Sequence, residues 1–193
     1  YKRQLDDALA EGAENFVVTI GTITGGGYEN VIANTASDAV TTTITDQTGT
    51  DGTPGPEDQV EVSLTGPASV VEGDTTTAYT VTLEEAVPAG SSVTVNLAYT
   101  GTATDGTDFT GVTSVVVTGP ASTATFTIAT IDDALVDDAE TIIIDIDSIV
   151  DTDNSFEAMV EGTNNQVTTT ISDQTGNDGT PGPEDQVEVS LIG

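Results

Sequence analysis

Residues 41–66, TTTITDQTGTDGTPGPEDQVEVSLTG, return at residues 168–193 as TTTISDQTGNDGTPGPEDQVEVSLIG, 127 positions further on and changed only at Thr45/Ser172, Thr50/Asn177 and Thr65/Ile192. A second echo precedes each copy: Leu5-Asp6-Asp7-Ala8-Leu9 and Glu14 match Ile131-Asp132-Asp133-Ala134-Leu135 and Glu140 at a displacement of 126. Self-similarity at domain length, rather than at the roughly 20 to 50 residues of stacked solenoid repeats, predicts separate beads that each bury a core of their own. The chain therefore reads as a window on a tandem array. The punctuation Asp51-Gly52-Thr53-Pro54-Gly55-Pro56 sets the expected boundaries. Residues 1–50 are the C-terminal part of one unit, 51–56 a linker, 57–176 a complete unit, 177–183 a second linker, and 184–193 the first strand of a further unit. That last strand has no sheet to join unless a neighbouring chain supplies one.

Within 57–176 the apolar residues recur with period two. Val60, Val62 and Leu64 alternate with Glu61, Ser63 and Thr65; Tyr79, Val81 and Leu83 follow, then Val93, Val95, Leu97 and Tyr99. Val115 and Val117, Ala124, Phe126 and Ile128, Ile142, Ile144 and Ile146, and Val167, Thr169 and Ile171 continue the pattern. Each set is the buried face of one strand. Seven or more short strands between Gly, Pro and Asp turns predict an all-β chain folded as an antiparallel, Ig-like β-sandwich in tandem repeats. Phe109 and Phe156 fall outside the alternation and are left open as exposed contacts, too sparse to favour a recognition surface.

The charge balance excludes several functions. Thirty-three acidic residues face two basic ones, Lys2 and Arg3, for a net charge of −31. Such a chain repels nucleic acid and anionic membrane, and no apolar run is long enough to cross a bilayer as a helix. With no Cys and no His, a disulfide framework and the usual ligands of zinc, copper and haem are missing. The complete unit has no Lys either, so few acids, bases or nucleophiles remain and no enzyme is expected. Hard-cation chemistry with oxygen ligands is what the composition leaves open.

The carboxylates gather at strand ends and turns. Glu72 and Asp74 lie in Val71-Glu72-Gly73-Asp74, Asp105 and Asp108 in Thr104-Asp105-Gly106-Thr107-Asp108, and Asp132, Asp133, Asp137, Asp138 and Glu140 follow Ile131. Ca²⁺ takes six to eight oxygens, mostly from carboxylates and main-chain carbonyls on turns, so this placement suits it. A solvated acidic surface is the alternative. Against that alternative, the Asp-Asp-Ala-Leu turn recurs in the preceding unit as Asp6-Asp7-Ala8-Leu9.

Val71-Glu72-Gly73, Gly101-Thr102-Ala103 with Asp108-Phe109, and Ile131-Asp132-Asp133 with Glu140 resemble the Calx-β pattern over most of residues 57–173. The resemblance implies calcium bound by Glu72, Asp108, Asp132, Asp133, Asp137 and Glu140, with Asp173 just past the last strand. In the preceding unit it implies Asp6, Asp7, Glu14 and Asp46. Acidic, Cys-free repeats rich in Thr and Val also resemble the extender region of large RTX-type bacterial adhesins. That likeness implies an extracellular, type I secreted protein on the bacterial cell surface. Its repeats would be spacers that lift a distal binding region, each joined to its neighbours through Ca²⁺-clamped linkers. Pro54 and Pro56, with Pro181 and Pro183, limit the freedom of those linkers, and Asp46, Asp51, Glu57 and Asp58 offer oxygens around the joint, while Gly49, Gly52 and Gly55 leave a flexible hinge as the alternative.

Other motifs fail on inspection. Asp151-Thr152-Asp153-Asn154-Ser155 begins like an EF-hand loop, but Gly162 stands where its final Glu belongs. Asp145 and Asp147 alternate with Ile144 and Ile146 and so face solvent, without the cleft aromatics a glycosidase needs. Two other function classes stay open: a glycan- or protein-binding sandwich module, and a subunit of an extracellular filament built by strand exchange between chains.

Overall fold

A computed structural model of the chain describes residues 7–46, 55–134, 139–174 and 186–192. Asp6, Asp51, Pro54, Asp137, Pro181 and Pro183, named above for ligation or for the linkers, lie outside the described residues.

The period-two runs become strands in two facing sheets. One sheet has the order β4-β13-β11-β6-β8, built from Ser69–Val71, Gln166–Ser172, Glu140–Asp151, Ser92–Gly101 and Ser114–Thr118. The other has the order β12-β3-β5-β9, built from Ala158–Glu161, Gln59–Thr65, Tyr79–Leu83 and Thr123–Phe126. A short ribbon pairs β7 (Phe109–Thr110) with β10 (Ala129–Thr130). The alternating residues fill the space between the sheets: Val60, Val62, Tyr79, Val81, Val93, Val95, Val117, Ile142 and Ile144 are wholly buried. Each such side chain contributes about 1.5–3 kcal/mol over an exposed one.

One polar link crosses the core. Thr169 Oγ1 donates to the Pro67 carbonyl at 2.7 Å, which leaves it to accept from the Tyr79 hydroxyl at 2.6 Å. The Tyr79 ring stacks on Phe126 at 5.0 Å.

The sandwich is not antiparallel throughout. β12 runs parallel to β3 and β4 runs parallel to β13, each pair at an edge of its sheet. Alternation tells which face of a strand is buried but not the direction of its partner. Phe109 and Phe156, left open as exposed contacts by the sequence, are both buried. Phe109 packs at 5.4 Å on Tyr99 from a strand of two residues, too short to show a period.

Ahead of this unit, β1 (Glu14–Thr19) and β2 (Ala39–Ile44) form an antiparallel hairpin. Glu14 pairs with Ile44 and Thr19 with Ala39, just as Glu140 pairs with Ile171 and Asp145 with Gln166 in β11 and β13. The repeat in sequence is thus a repeat in strand register. Residues 186–192, which copy β3, stand exposed and outside any strand.

Candidate metal centre at the acidic end of the sandwich

Several strand ends meet at one end of the complete unit: the exit of β4, the entry of β7, the exit of β10, the entry of β11 and the exit of β13. Gly73 makes the first corner possible. It turns with φ +77, and a Cβ there would stand 3.1 Å from the Cβ of Asp132, so the chain carrying Glu72 runs close against the Asp132 turn. A second glycine, Gly101, turns with φ +116 against the Thr141 carbonyl, where no Cβ fits.

Glu72 is the centre of the cluster. Only 9% of its surface is exposed, its Oε1 accepts from the Asp133 N–H at 3.1 Å, and its own N–H donates to the Ser172 carbonyl at 2.9 Å. Burial raises its pKa above the ordinary 4.5, and the charges of Asp133, Asp132 and Asp173 push it further, against the lowering effect of the Asp133 N–H. Four of the predicted ligands are therefore close enough to feel one another.

Gln174 joins them: once its side-chain amide is turned so that the nitrogen faces Asp132, that nitrogen donates to both carboxylate oxygens at 3.1 Å. Glu140 opens β11 and pairs with Ile171, two residues before Asp173. Asp108 reaches the same end through its main chain, whose carbonyl accepts from Ile131 N–H at 2.9 Å. Its carboxylate also shapes its own loop, with Oδ2 accepting from Thr104 N–H at 2.6 Å.

The preceding unit carries a smaller version. Asp46 Oδ2 accepts from Gly12 N–H at 2.9 Å and Asp7 Oδ1 from Leu9 N–H at 3.1 Å. Glu11 is the group that sequence reading missed. Its pKa is raised by the charge of Glu14 first, then by Asp7, and less by burial and Asp46. The signal was present, because 126 positions on from Glu11 stands Asp137.

Two other carboxylates do not join the cluster. Asp58, expected to serve the linker, is wholly buried, with Oδ2 accepting from Gly55 N–H at 2.6 Å and Oδ1 unpartnered among the described residues. Asp151, in the rejected EF-hand-like run, has Oδ2 on the Phe156 N–H at 2.9 Å and Oδ1 likewise unpartnered.

Among the described residues no three acidic side chains stand in ready-made metal-binding geometry. The donor set nevertheless fits a hard divalent cation, because every group is an oxygen and the crowding at Glu72 is of like charge. Lys2 and Arg3 are the only cationic side chains the sequence has to balance it.

The Calx-beta domain family model matches residues 3–48 and 56–175. The chain belongs to the Calx-beta domain family. Solved structures similar to this Calx-beta chain include the apo form of the Calx CBD1 domain, at 21% identity and TM-score 0.49, covering 60% of this chain and 97% of that one. The Calx CBD2 domain matches at 10% identity and TM-score 0.48, over 60% of this chain and 87% of that one. The calcium binding domain CBD12 of CALX1.1 matches at 21% identity and TM-score 0.47, over 58% of this chain and 44% of that one. No curated protein matches the chain.

Proposed function

We propose that this chain is a run of calcium-stabilised spacer units from a secreted bacterial surface adhesin, in which each unit adds length and calcium adds to its stability. Calx-beta domains are calcium-binding β-sandwich modules. The observation that carries the reading is the recurrence of one hairpin register, 126 to 127 positions apart, with an acidic cluster at the same end each time. Units this alike suit a spacer better than a set of distinct recognition sites. A sandwich of this kind extends an array by on the order of 40 Å, taking strands of about ten residues at ~3.3 Å each plus loops.

Glu72, Asp132, Asp133 and Asp173 would hold the ion in the complete unit, with Asp108, Glu140 and Asp137 around them. Asp7, Glu14 and Asp46, together with Asp6, would do so in the preceding one. When bound, the cation supplies the positive charge that the crowded turns lack. In low calcium the carboxylates repel one another and lower the stability of each unit, which eases export; at millimolar calcium, binding to the folded state adds stability.

A site with Kd near 1 mM adds about 1.4 kcal/mol in ~10 mM calcium, and three such sites about 4 kcal/mol. For a domain of this size that is a rise in Tm of roughly 15 °C. Thermal unfolding of the whole chain in EDTA, then in calcium with magnesium as control, tests it. A calcium-specific rise supports the reading, and an unchanged, cooperative transition in EDTA removes calcium from it.

A second reading rests on exposed apolar edges. Val18 and Val40 lie open on β1 and β2, as do Val187, Val189 and Leu191 in the unpaired segment 186–192. Strand exchange between chains would cover both, and would appear as concentration-dependent growth above monomer size by light scattering. The glycan-binding alternative loses its two candidate contacts, because Phe109 and Phe156 are buried.

A further inference from the structure

Phe156 is buried partly by residues of the other unit. Leu9 forms an antiparallel bridge with Phe156, Ala10 N–H donates to the Ser155 carbonyl at 3.1 Å, and Glu157 N–H donates to the Ala8 carbonyl at 3.0 Å. Ala8 is 6% exposed and belongs to the same core cluster as Phe156, and Leu9 packs against that cluster. Two features hold the parts in position. The Asp7 carboxylate accepts from Leu9 N–H and shapes the turn, while the Asp151 carboxylate accepts from Phe156 N–H and fixes the receiving edge. A cleft of about 340 Å³ lies alongside, between Asp7–Leu9 and Pro56, Glu57 and Glu84.

We propose that the Ala8–Leu9 turn is a plug and the Ser155–Glu157 edge its socket, forming a direct joint that locks consecutive units together independently of the linker between them. The occupant of the socket is the Asp-Asp-Ala-Leu turn of the preceding unit, seated by main-chain pairing and by two apolar side chains. Main-chain bridging of this kind is strand addition on the smallest scale. The plug is also part of the acidic end, since Asp7 shapes it and bears on Glu11. The joint is repeatable, because Ala134 and Leu135 stand 126 positions beyond Ala8 and Leu9 in the sequence.

The joint needs neither the adhesin nor the calcium reading, and its test separates them. Hydrogen exchange of the whole chain in calcium should show the amides of Ala10 and Glu157 slowed by about tenfold or more over unprotected amides, as two shared main-chain hydrogen bonds imply. Leu9→Asp should abolish protection at both together and leave the Ile142 and Ile144 amides slow. Leu9 lies outside the complete unit, so the core amides report directly whether that unit remains folded. Unprotected Ala10 and Glu157 in the unaltered chain, or protection that survives Leu9→Asp, overturns the joint. Protection at both amides in a chain whose Tm ignores calcium would sustain the joint while removing the calcium reading.

Discussion

The hairpins β1–β2 and β11–β13 share one register but not one environment. Val18 is 61% exposed, whereas Ile144, its counterpart 126 positions on, is 0% exposed. Thr42 is open to solvent and Thr169, 127 positions on, is buried. The difference comes from what each hairpin is packed against. β11 is flanked by β6 as well as β13, and the facing sheet covers its apolar side, while β1 and β2 form a sheet of two strands. Register is therefore a local property, set by pairing and side-chain period, and burial is conferred by the rest of the unit.

The comparison breaks most visibly at the buried branched residue. Ile144→Ala removes three carbons from a closed core and should lower the stability of the complete unit by about 2–5 kcal/mol. Val18→Ala, at the matching place, should change it by less than about 0.5 kcal/mol. Urea unfolding of the two variants decides between them; equal effects would mean that β1–β2 is packed in solution in a way its exposure does not show.

A smaller contrast lies in the hydroxyl that links the sheets. Thr169→Val keeps the shape but leaves the Tyr79 hydroxyl and the Pro67 carbonyl without their shared partner. The expected loss is about 1–3 kcal/mol, read as a lower urea midpoint at unchanged slope. Thr42→Val, on an exposed face, should leave the midpoint where it was. A neutral Thr169→Val would show that water replaces the lost partner.

Much of this fold is legible in the sequence because sheet faces are written with period two. Val60 to Leu64, Tyr79 to Leu83 and Val93 to Leu97 all point inward as the alternation requires. Direction is a different matter: nothing in Ser69–Val71 or Ala158–Glu161 marks them as parallel edge strands, since either direction buries the same faces. The burial of Phe156 was not legible for a related reason, because part of its cover is Leu9, a residue about 150 positions away and assigned to another unit. At the acidic end, the turns carrying Glu72, Asp132, Asp133 and Asp173 were legible as acidic turns, and the charges of the three Asp residues add to the raised pKa of Glu72. The hydrogen bond from Thr104 N–H to the Asp108 carboxylate was not, because it is a contact inside one loop that no spacing announces.

The smallest contrast is between two raised carboxylates. Glu72 owes its shift chiefly to burial, whereas fully exposed Glu11 owes its shift chiefly to the charge of Glu14. Salt separates the causes, because at ~1 M ionic strength the screening length falls to about 3 Å while a desolvated group stays desolvated. Carboxyl-carbon NMR titrations in EDTA should therefore find the Glu11 pKa returning toward 4.5 in high salt while that of Glu72 stays raised. The two also differ in their bearing on stability. An acid whose folded pKa exceeds its unfolded value holds its proton more tightly when folded. Its contribution to stability falls as pH rises from 4.5 through the folded pKa, and returns on acidification. In EDTA the complete unit should thus gain stability as pH drops from neutral toward 4.5, and Glu72→Gln should flatten that gain. In calcium the slope should reverse, since protons then compete with the ion for the same oxygens. A Glu72 shift that vanishes with salt would mean that its neighbours, and not its burial, control it, and the two acidic ends would then be equivalent.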